Sequence, residues 1–264
     1  MELNNYPVLE DHISVSEIVT PQGSELLIYD TVTGVKKYPN RAVFNFLRLT
    51  TGTRTFGEIA EELSRQSGEP IEEIWPGLSK IAEQMVNDRQ LRVSETPLEN
   101  PRTPPPSARM IHRLENVSFE TTRKCNLRCR HCYSNAGIEL EDELTVDEIK
   151  KMIDELADIG VLAITFTGGE PLLHPHLFDL MEYARKKPLS VLLFTNATLL
   201  TPETIEKLRE LQVFQVNVSI DGPDAETHDQ FRGLEGAFEK TVQNVALLQR
   251  AGFRVQTSTS VTKL

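Results

Sequence analysis

Cysteine is nearly missing from this chain of 264 residues: there are three, all between Cys125 and Cys132. An odd count confined to one short stretch excludes a disulfide framework, which needs pairs spread along the chain. The N-terminus lacks the basic and apolar segment of a secretory signal, so the thiols read as reduced and the chain as cytoplasmic. No apolar run is long enough for a membrane-spanning helix, and no short repeat recurs. Positive charge is also scarce, with 28 Lys and Arg against 39 Asp and Glu, a net charge of −11. That balance disfavours nucleic acid and anionic membranes as partners and suits a soluble enzyme.

The three cysteines have a Cys-x3-Cys-x2-Cys spacing. Three thiolates can hold three irons of a [4Fe–4S] cluster and leave the fourth iron without a protein ligand, whereas clusters that only carry electrons have four. An open metal position is a place for chemistry. The competing reading is zinc in a Cys3His set with His131. Adjacency of His131 and Cys132 makes joint tetrahedral ligation awkward, and structural zinc sites usually use two separated pairs.

The second half alternates strand and helix. Strands are expected near 115–121, 161–167, 190–195, 214–220 and 254–261. Thr145 to Glu148 is a capping box opening a helix that runs to about Gly160. Leu173 to about Lys187 reads as the next. Pro202 at the first helical position starts a third, through about Gln212, and Gly236 to Arg250 a fourth, closed by Gly252. Such alternation means a parallel sheet with right-handed crossovers, whose sites lie at the carboxyl ends of the strands. Cys125, Gly168, Thr195, Ser219 and Asp221 all sit at or just after a predicted strand end.

Those positions carry a resemblance to the radical SAM superfamily. Its cysteine triplet has an aromatic residue before the last cysteine, here His131. Thr165 to Pro171 contains the glycine-glycine-glutamate motif. Phe194-Thr195-Asn196-Ala197-Thr198 is similar to a strand end usually written T-N-G-T, with Ala197 in place of glycine. Ser219 to Pro223 and His228 to Gly233 match the segments that follow. The resemblance covers about residues 110–264. It implies an α/β fold, a partial parallel (β/α) barrel, and reductive cleavage of S-adenosylmethionine to methionine and a 5′-deoxyadenosyl radical. It also implies Cys125, Cys129 and Cys132 as iron ligands, with Gly168, Gly169 and Glu170 at the methionyl amine. Ser219, Asp221 and Arg232 would contact the carboxylate or ribose, and the His131 backbone would lie against the adenine. Thr195 and Asn196 join the cofactor-binding set. A one-electron donor such as flavodoxin or ferredoxin is a further implied partner.

Residues 1–95 carry no cysteine. Ser24 to Asp30 and Gly34 to Tyr38 read as a hairpin. Arg41 to Thr50 is an amphipathic helix with Val43, Phe44, Phe46 and Leu47 inward. Thr55 to Glu58 opens another that stops at Gly68, and Ile71 to Val86 is helical with a disturbance at Trp75-Pro76. Leu91 to Val93 adds a strand. This is a small winged-helix-like α+β domain. Fifteen Asp and Glu against nine Lys and Arg argue against DNA binding. The segment resembles the PqqD-like RiPP recognition element in Pro7-Val8-Leu9, the hairpin, Tyr38-Pro39-Asn40, and Gly52 to Thr55 before Glu58-Ile59. That resemblance implies a precursor-peptide leader added as a strand at the 24–40 hairpin edge; the alternative is a small packing domain. Residues 96–112, with Pro104 to Pro106, form a proline-rich linker.

Residues 113–264 end on the predicted fifth strand. Relatives with these motifs usually continue into a cysteine-rich SPASM extension, so the chain reads as the front part of a longer enzyme or as a natural short form, with a partner chain able to supply the rest. The expected function is radical modification of a ribosomally made peptide or peptide-derived cofactor precursor. The alternatives are a radical SAM enzyme for a non-peptide substrate such as haem, a non-catalytic peptide-binding scaffold, and a zinc-containing regulator.

Overall fold

A computed structural model describes residues 1–20, 23–99, 114–138 and 140–261. Most of the proline-rich linker and Glu139 lie outside the described residues. The chain forms two compact units, one built mainly from residues before Leu114 and one mainly from Leu114 onward.

In the N-terminal unit, β1 (Tyr6–Leu9) pairs antiparallel with β5 (Leu91–Ser94). A second sheet has the order β2 (Ile13–Thr20), β3 (Gly23–Asp30), β4 (Lys36–Lys37). The expected hairpin is the β3–β4 pair. Its turn is fixed by Asp30, whose Oδ1 accepts from the backbone N–H of Val32 and Thr33 at 2.9 Å. β4 pairs with Ile28 and Tyr29, and among the described residues no strand pairs with Ser24 to Leu27 on that side. The longer hairpin β2–β3, in register from Ile13↔Asp30 to Thr20↔Gly23, was not anticipated.

Three helices cover one hydrophobic core. α1 (Arg41–Leu49) is capped by the Asn40 side chain, which accepts from Val43 N–H. α2 (Phe56–Ser67) has the predicted Thr55–Glu58 capping box and ends at Gly68 with φ 78°. α3 (Ile71–Asn87) runs unbroken through Pro76. Phe44, Phe46, Leu47, Phe56, Ile59 and Leu91 are buried together, each contributing about 1.5–3 kcal/mol through burial.

The C-terminal unit is a five-stranded, wholly parallel sheet of order β10-β9-β8-β7-β6. The strands are β6 (Asn116–Glu120), β7 (Ala163–Thr167), β8 (Ser190–Thr195), β9 (Gln215–Ser219) and β10 (Val255–Ser258). The crossovers are α4 (Val146–Asp158), α5 (Leu177–Arg185), α6 (Pro202–Glu210), and finally α7 (Ala225–Arg232) followed by α8 (Ala237–Arg250). Ile164, Phe166, Val191, Leu193, Val216 and Val218 are fully buried and set the core of the sheet.

Two elements of this unit depart from expectation. The helix predicted from Leu173 begins four residues later, after a 3-10 turn at Pro171–Leu173. His174 precedes Pro175, which disfavours the helical conformation, and it is extended at φ −75°, ψ 121°. Helix α7 was read only as a motif stretch. Its sequence has little apolar periodicity, but Asp224 caps it and Gly233 closes it at φ 71°.

Candidate functional site

All three cysteines line one cavity of about 380 Å³ in the C-terminal unit, together with His131, Ser219, Asp221 and Arg232. The backbone brings them there. After β7, Gly169 N–H donates to Thr122 O at 2.7 Å and Glu170 N–H to Lys124 O at 2.8 Å. A Cβ on Gly168 would stand 2.4 Å from Thr122 O, and one on Gly169 2.4 Å from Lys124 O. Only glycine permits so close an approach. These glycines therefore seat the segment that leads into Cys125, while also lining the cavity.

The cysteine loop is held on its other side by α7. Arg128 N–H donates to Arg232 O, and Arg130 N–H to Phe231 O. The segment after Cys132 is gripped by Arg123, whose Nη2 donates to Ser134 O and Asn135 O. Asn126, between the first two cysteines, accepts from Asn196 Nδ2 at 3.0 Å and donates to Thr198 Oγ1 at 2.8 Å. Arg123 and Asn126 were not singled out from the sequence. Single polar residues in a loop carry no periodic or motif signal.

Each sulfur has at least one hydrogen-bond donor close by. Leu127 N–H points at Cys125 Sγ (3.4 Å), Ala136 N–H at Cys132 Sγ (3.3 Å), and Arg232 Nη1 at Cys129 Sγ (3.6 Å). Burial pushes the Cys125 thiol above its ordinary range, and Glu170 and the other two cysteines add to that rise. Burial also raises Cys132, but hydrogen bonds from Ser134, Ala136 and Asn135 outweigh it and the net shift is downward. Donors aimed at sulfur favour the thiolate that ligates metal.

Glu170 is fully buried. Its Oε1 accepts from Thr195 Oγ1 at 2.7 Å and from Leu172 N–H at 3.1 Å, and its Oε2 from Asn196 N–H at 2.8 Å. The predicted trio Glu170, Thr195 and Asn196 is thus one linked group, tying the end of β7 to the end of β8. Burial raises the Glu170 carboxyl to about 7 against these hydrogen bonds. Ala197, where the motif usually has glycine, takes the left-handed conformation at φ 62°.

On the far wall, Asp221 Oδ1 accepts from Ser260 N–H at 2.6 Å, and its Oδ2 stands 2.6 Å from Arg232 Nη2 and 3.6 Å from His131 Nε2. Asp221 N–H donates to His228 Nδ1, which fixes that ring as the Nε2–H tautomer. The His131 ring stacks on Phe231 with centroids 4.3 Å apart. Burial, then Arg232, lowers its pKa against the pull of Asp221. Three buried atoms here lack a hydrogen-bond partner: His131 Nδ1, Asp221 Oδ2 and Arg232 Nε. The Arg232–Asp221 approach is close but off hydrogen-bond direction. Buried polar atoms without partners beside a cavity call for a polar ligand.

Three thiols supplied with donors and a group of unsatisfied polar atoms around one cavity fit an iron–sulfur cluster with a polar, charged ligand beside it. Among the described residues no three His, Cys, Asp or Glu side chains converge on a single metal-ion position. Ligands of a cluster attach to separate irons and need no such point.

Comparison with known proteins agrees with this arrangement. Residues 119–263 match the family model described as the radical SAM superfamily. The AdoMet-dependent heme synthase of Methanosarcina barkeri (strain Fusaro / DSM 804) is 47% identical over 148 residues, covering 56% of this chain and 42% of that protein. The antilisterial bacteriocin subtilosin biosynthesis protein AlbA of Bacillus subtilis (strain 168) is 37% identical over 147 residues, 55% of this chain and 33% of its own length. The chain therefore spans less than half the length of these curated relatives. Streptococcus suis SuiB bound to S-adenosylmethionine shares the fold with a TM-score of 0.63 at 15% identity, over 97% of this chain and 57% of that one. Its complex with the precursor peptide SuiA gives 0.64 at 14% identity, over 98% and 57%. The parallel sheet is thus the partial barrel expected from the sequence, and the chain belongs to the radical SAM superfamily, whose enzymes work with a [4Fe–4S] cluster and S-adenosylmethionine.

Proposed function

We propose that this chain holds a [4Fe–4S] cluster on Cys125, Cys129 and Cys132, binds S-adenosylmethionine beside it, and starts radical modification of a ribosomally made peptide. The observation that carries the first part is the convergence of the three cysteines with Ser219, Asp221 and Arg232 on one cavity. Bound together, the two cofactors supply one-electron cleavage of a sulfonium and a carbon radical able to take hydrogen from a substrate. The chain's own part is to bind, orient and shield. The donors at the three sulfurs hold the ligands in register. The free hydrogen-bonding capacity of Arg232 and Asp221 orients the amino-acid end of S-adenosylmethionine, with Ser219 at the same wall. Gly168 and Gly169 offer backbone to its amine, above the Glu170 group. The electron comes from a donor such as flavodoxin or ferredoxin.

The peptide part is supported by the N-terminal unit. The likeness to SuiB, a protein solved with a precursor peptide, extends over nearly the whole chain. Among the described residues, Ser24 to Leu27 of β3 also have no strand on the β4 side, where a leader can add as a strand. We assign the unit as a PqqD-like recognition element on these grounds. A second reading, a haem precursor as substrate, is favoured by the 47% identity to a heme synthase. That match covers 56% of this chain.

The test is anaerobic reconstitution with iron and sulfide, reduction, and assay for 5′-deoxyadenosine. Cleavage lost in Cys129→Ala supports the proposal, and one bound zinc with no iron uptake sinks it. Binding of the precursor peptide by the chain separates the peptide reading from the haem reading, for which a porphyrin would bind and be modified instead.

A further inference from the structure

The N-terminal unit has a cavity of about 540 Å³ that none of the motifs accounts for. Its apolar walls come from three helices: Val43 and Phe46 of α1, Leu63 of α2, and Ile74, Leu78 and Ile81 of α3. Phe46 and Leu78 are buried, and the other four are half-buried at the border of the core. Gly77 lies in the same wall, on the exposed side of α3.

Gly77 is unusual for what it does not do. Its φ is not positive, so no left-handed turn requires it. A Cβ there would meet nothing within 4 Å among the described residues, so no close packing inside the unit requires it either. Glycine is a poor residue for a helix interior, and Pro76 beside it removes the N–H that would bond the Glu72 carbonyl. Two helix-weakening residues therefore stand together, and the second of them, Gly77, lines the apolar groove. They leave its backbone bare for something to approach closely. One end of the groove is acidic. Glu69 and Glu73 line it, are exposed, and have no cationic partner among the described residues, whereas Arg41 on the α1 side is already paired with Glu17 at 2.7 Å.

We infer that this groove seats a peptide segment with two or more apolar anchors and a Lys or Arg at the end facing Glu69 and Glu73, its backbone lying against Gly77. Charge complementarity chooses the occupant: the acidic rim opposes an acidic segment and attracts a basic one, while the half-buried apolar walls take its anchors. The inference rests on the peptide reading above. It adds a second seat, on the helices, distinct from strand addition at β3.

The test uses the full chain as bait for a phage-displayed library of random dodecapeptides, with recovered sequences synthesised and titrated by fluorescence anisotropy. The expected consensus is apolar with a basic residue. Gly77→Phe, which fills the groove, should weaken binding at least tenfold, and Glu69→Lys with Glu73→Lys should do the same. Gly77→Ala should raise the melting temperature by a few degrees, as the fold itself has no use for the glycine. Equal affinity of Gly77→Phe and wild type overturns the groove. If Lys37→Pro at the sheet edge then abolishes binding, the peptide reading survives without it. Preferential binding of a synthetic peptide of residues 97–113 overturns it in favour of an occupant from the chain itself. Recovery of acidic peptides overturns it too.

Discussion

Both units bury polar side chains, but they use them differently. In the N-terminal unit no buried side-chain atom among the described residues lacks a hydrogen bond: Glu17 pairs with Arg41, Asp30 closes a turn, Thr50 Oγ1 donates to Leu47 O, and Gln90 accepts from Lys37. In the C-terminal unit the buried atoms left without hydrogen bonds, His131 Nδ1, Asp221 Oδ2 and Arg232 Nε, all belong to one cavity wall. The first pattern is what a fold needs to be stable. The second carries desolvation that the Arg232–Asp221 ion pair offsets in part and a polar ligand can offset further. Polarity by itself does not mark a site; unsatisfied polarity does.

The largest effect that would sharpen this contrast is expected in the apolar unit. Phe56 is fully buried and packs edge-on against Trp75, centroids 5.9 Å apart. Phe56→Ala should cost about 3–5 kcal/mol, read as a lower denaturation midpoint for the N-terminal unit. Iron uptake by the C-terminal unit should be retained. Equal loss of iron uptake would mean the two units are one cooperative body.

Gly169→Ala should do the opposite. Its Cβ would lie 2.4 Å from Lys124 O and 2.7 Å from Arg123 O, both backbone atoms that cannot swing away. The cost should be about 3 kcal/mol, and reconstituted iron should fall several-fold because the segment entering Cys125 is displaced. Gly68→Ala, at a φ of 78° but with nothing within 4 Å, gives the control. Its penalty should be about 1 kcal/mol with no change in iron content.

Glu170 makes the comparison dependent on pH. Its carboxyl is raised to about 7 from an ordinary value of 4.5, first by burial. A raised acid is protonated in the folded state where it is ionised in the unfolded one, so folding takes up a proton between those values. Its stabilising contribution is full below about 4.5 and lost as pH rises through about 7. The span corresponds to about 3 kcal/mol. Urea midpoints of the apo-protein should fall across that window, and Glu170→Gln should flatten the slope. An unchanged slope in that variant would rule out Glu170 as its source.

Much of this was legible in the sequence, for stated reasons. The Thr55 cap, the Pro202 helix start, the Gly68 stop and the alternation of strand and helix are local signals, and the structure repeats them. β1 was missed because its pairing with β5 joins Tyr6 to Ser94, a contact no local pattern announces. β2 did alternate, as Ile13-Ser14-Val15-Ser16, and could have been found. In the site, the motif residues were found by spacing, but their partnerships were not. The sequence does not say that Gly168 and Gly169 serve the approach of Thr122 and Lys124, or that Asn126 anchors the cysteine loop to Asn196. Such links join residues far apart through single hydrogen bonds.

The smallest expected effect tests a departure from the family pattern. Ala197 is fully buried at φ 62°, where the motif usually has glycine. An L-residue costs about 1–2 kcal/mol in that conformation. Against this, its methyl group is buried in the core of the sheet, and glycine would add about 0.5–1 kcal/mol of chain entropy to be lost on folding. These terms nearly cancel, so Ala197→Gly should change stability by less than about 0.5 kcal/mol. Ala60→Gly, equally buried but in the middle of α2, has no strain to relieve and should lose about 1 kcal/mol or more. If the two losses are equal, Ala197 is not strained, and the substitution in this motif is as free as one in an ordinary helix. If Ala197→Gly is neutral, the carbonyl that Ala197 presents to Asn244 Nδ2 at 2.7 Å is held by the turn itself. The strand end that supports Glu170 then keeps its shape with either residue.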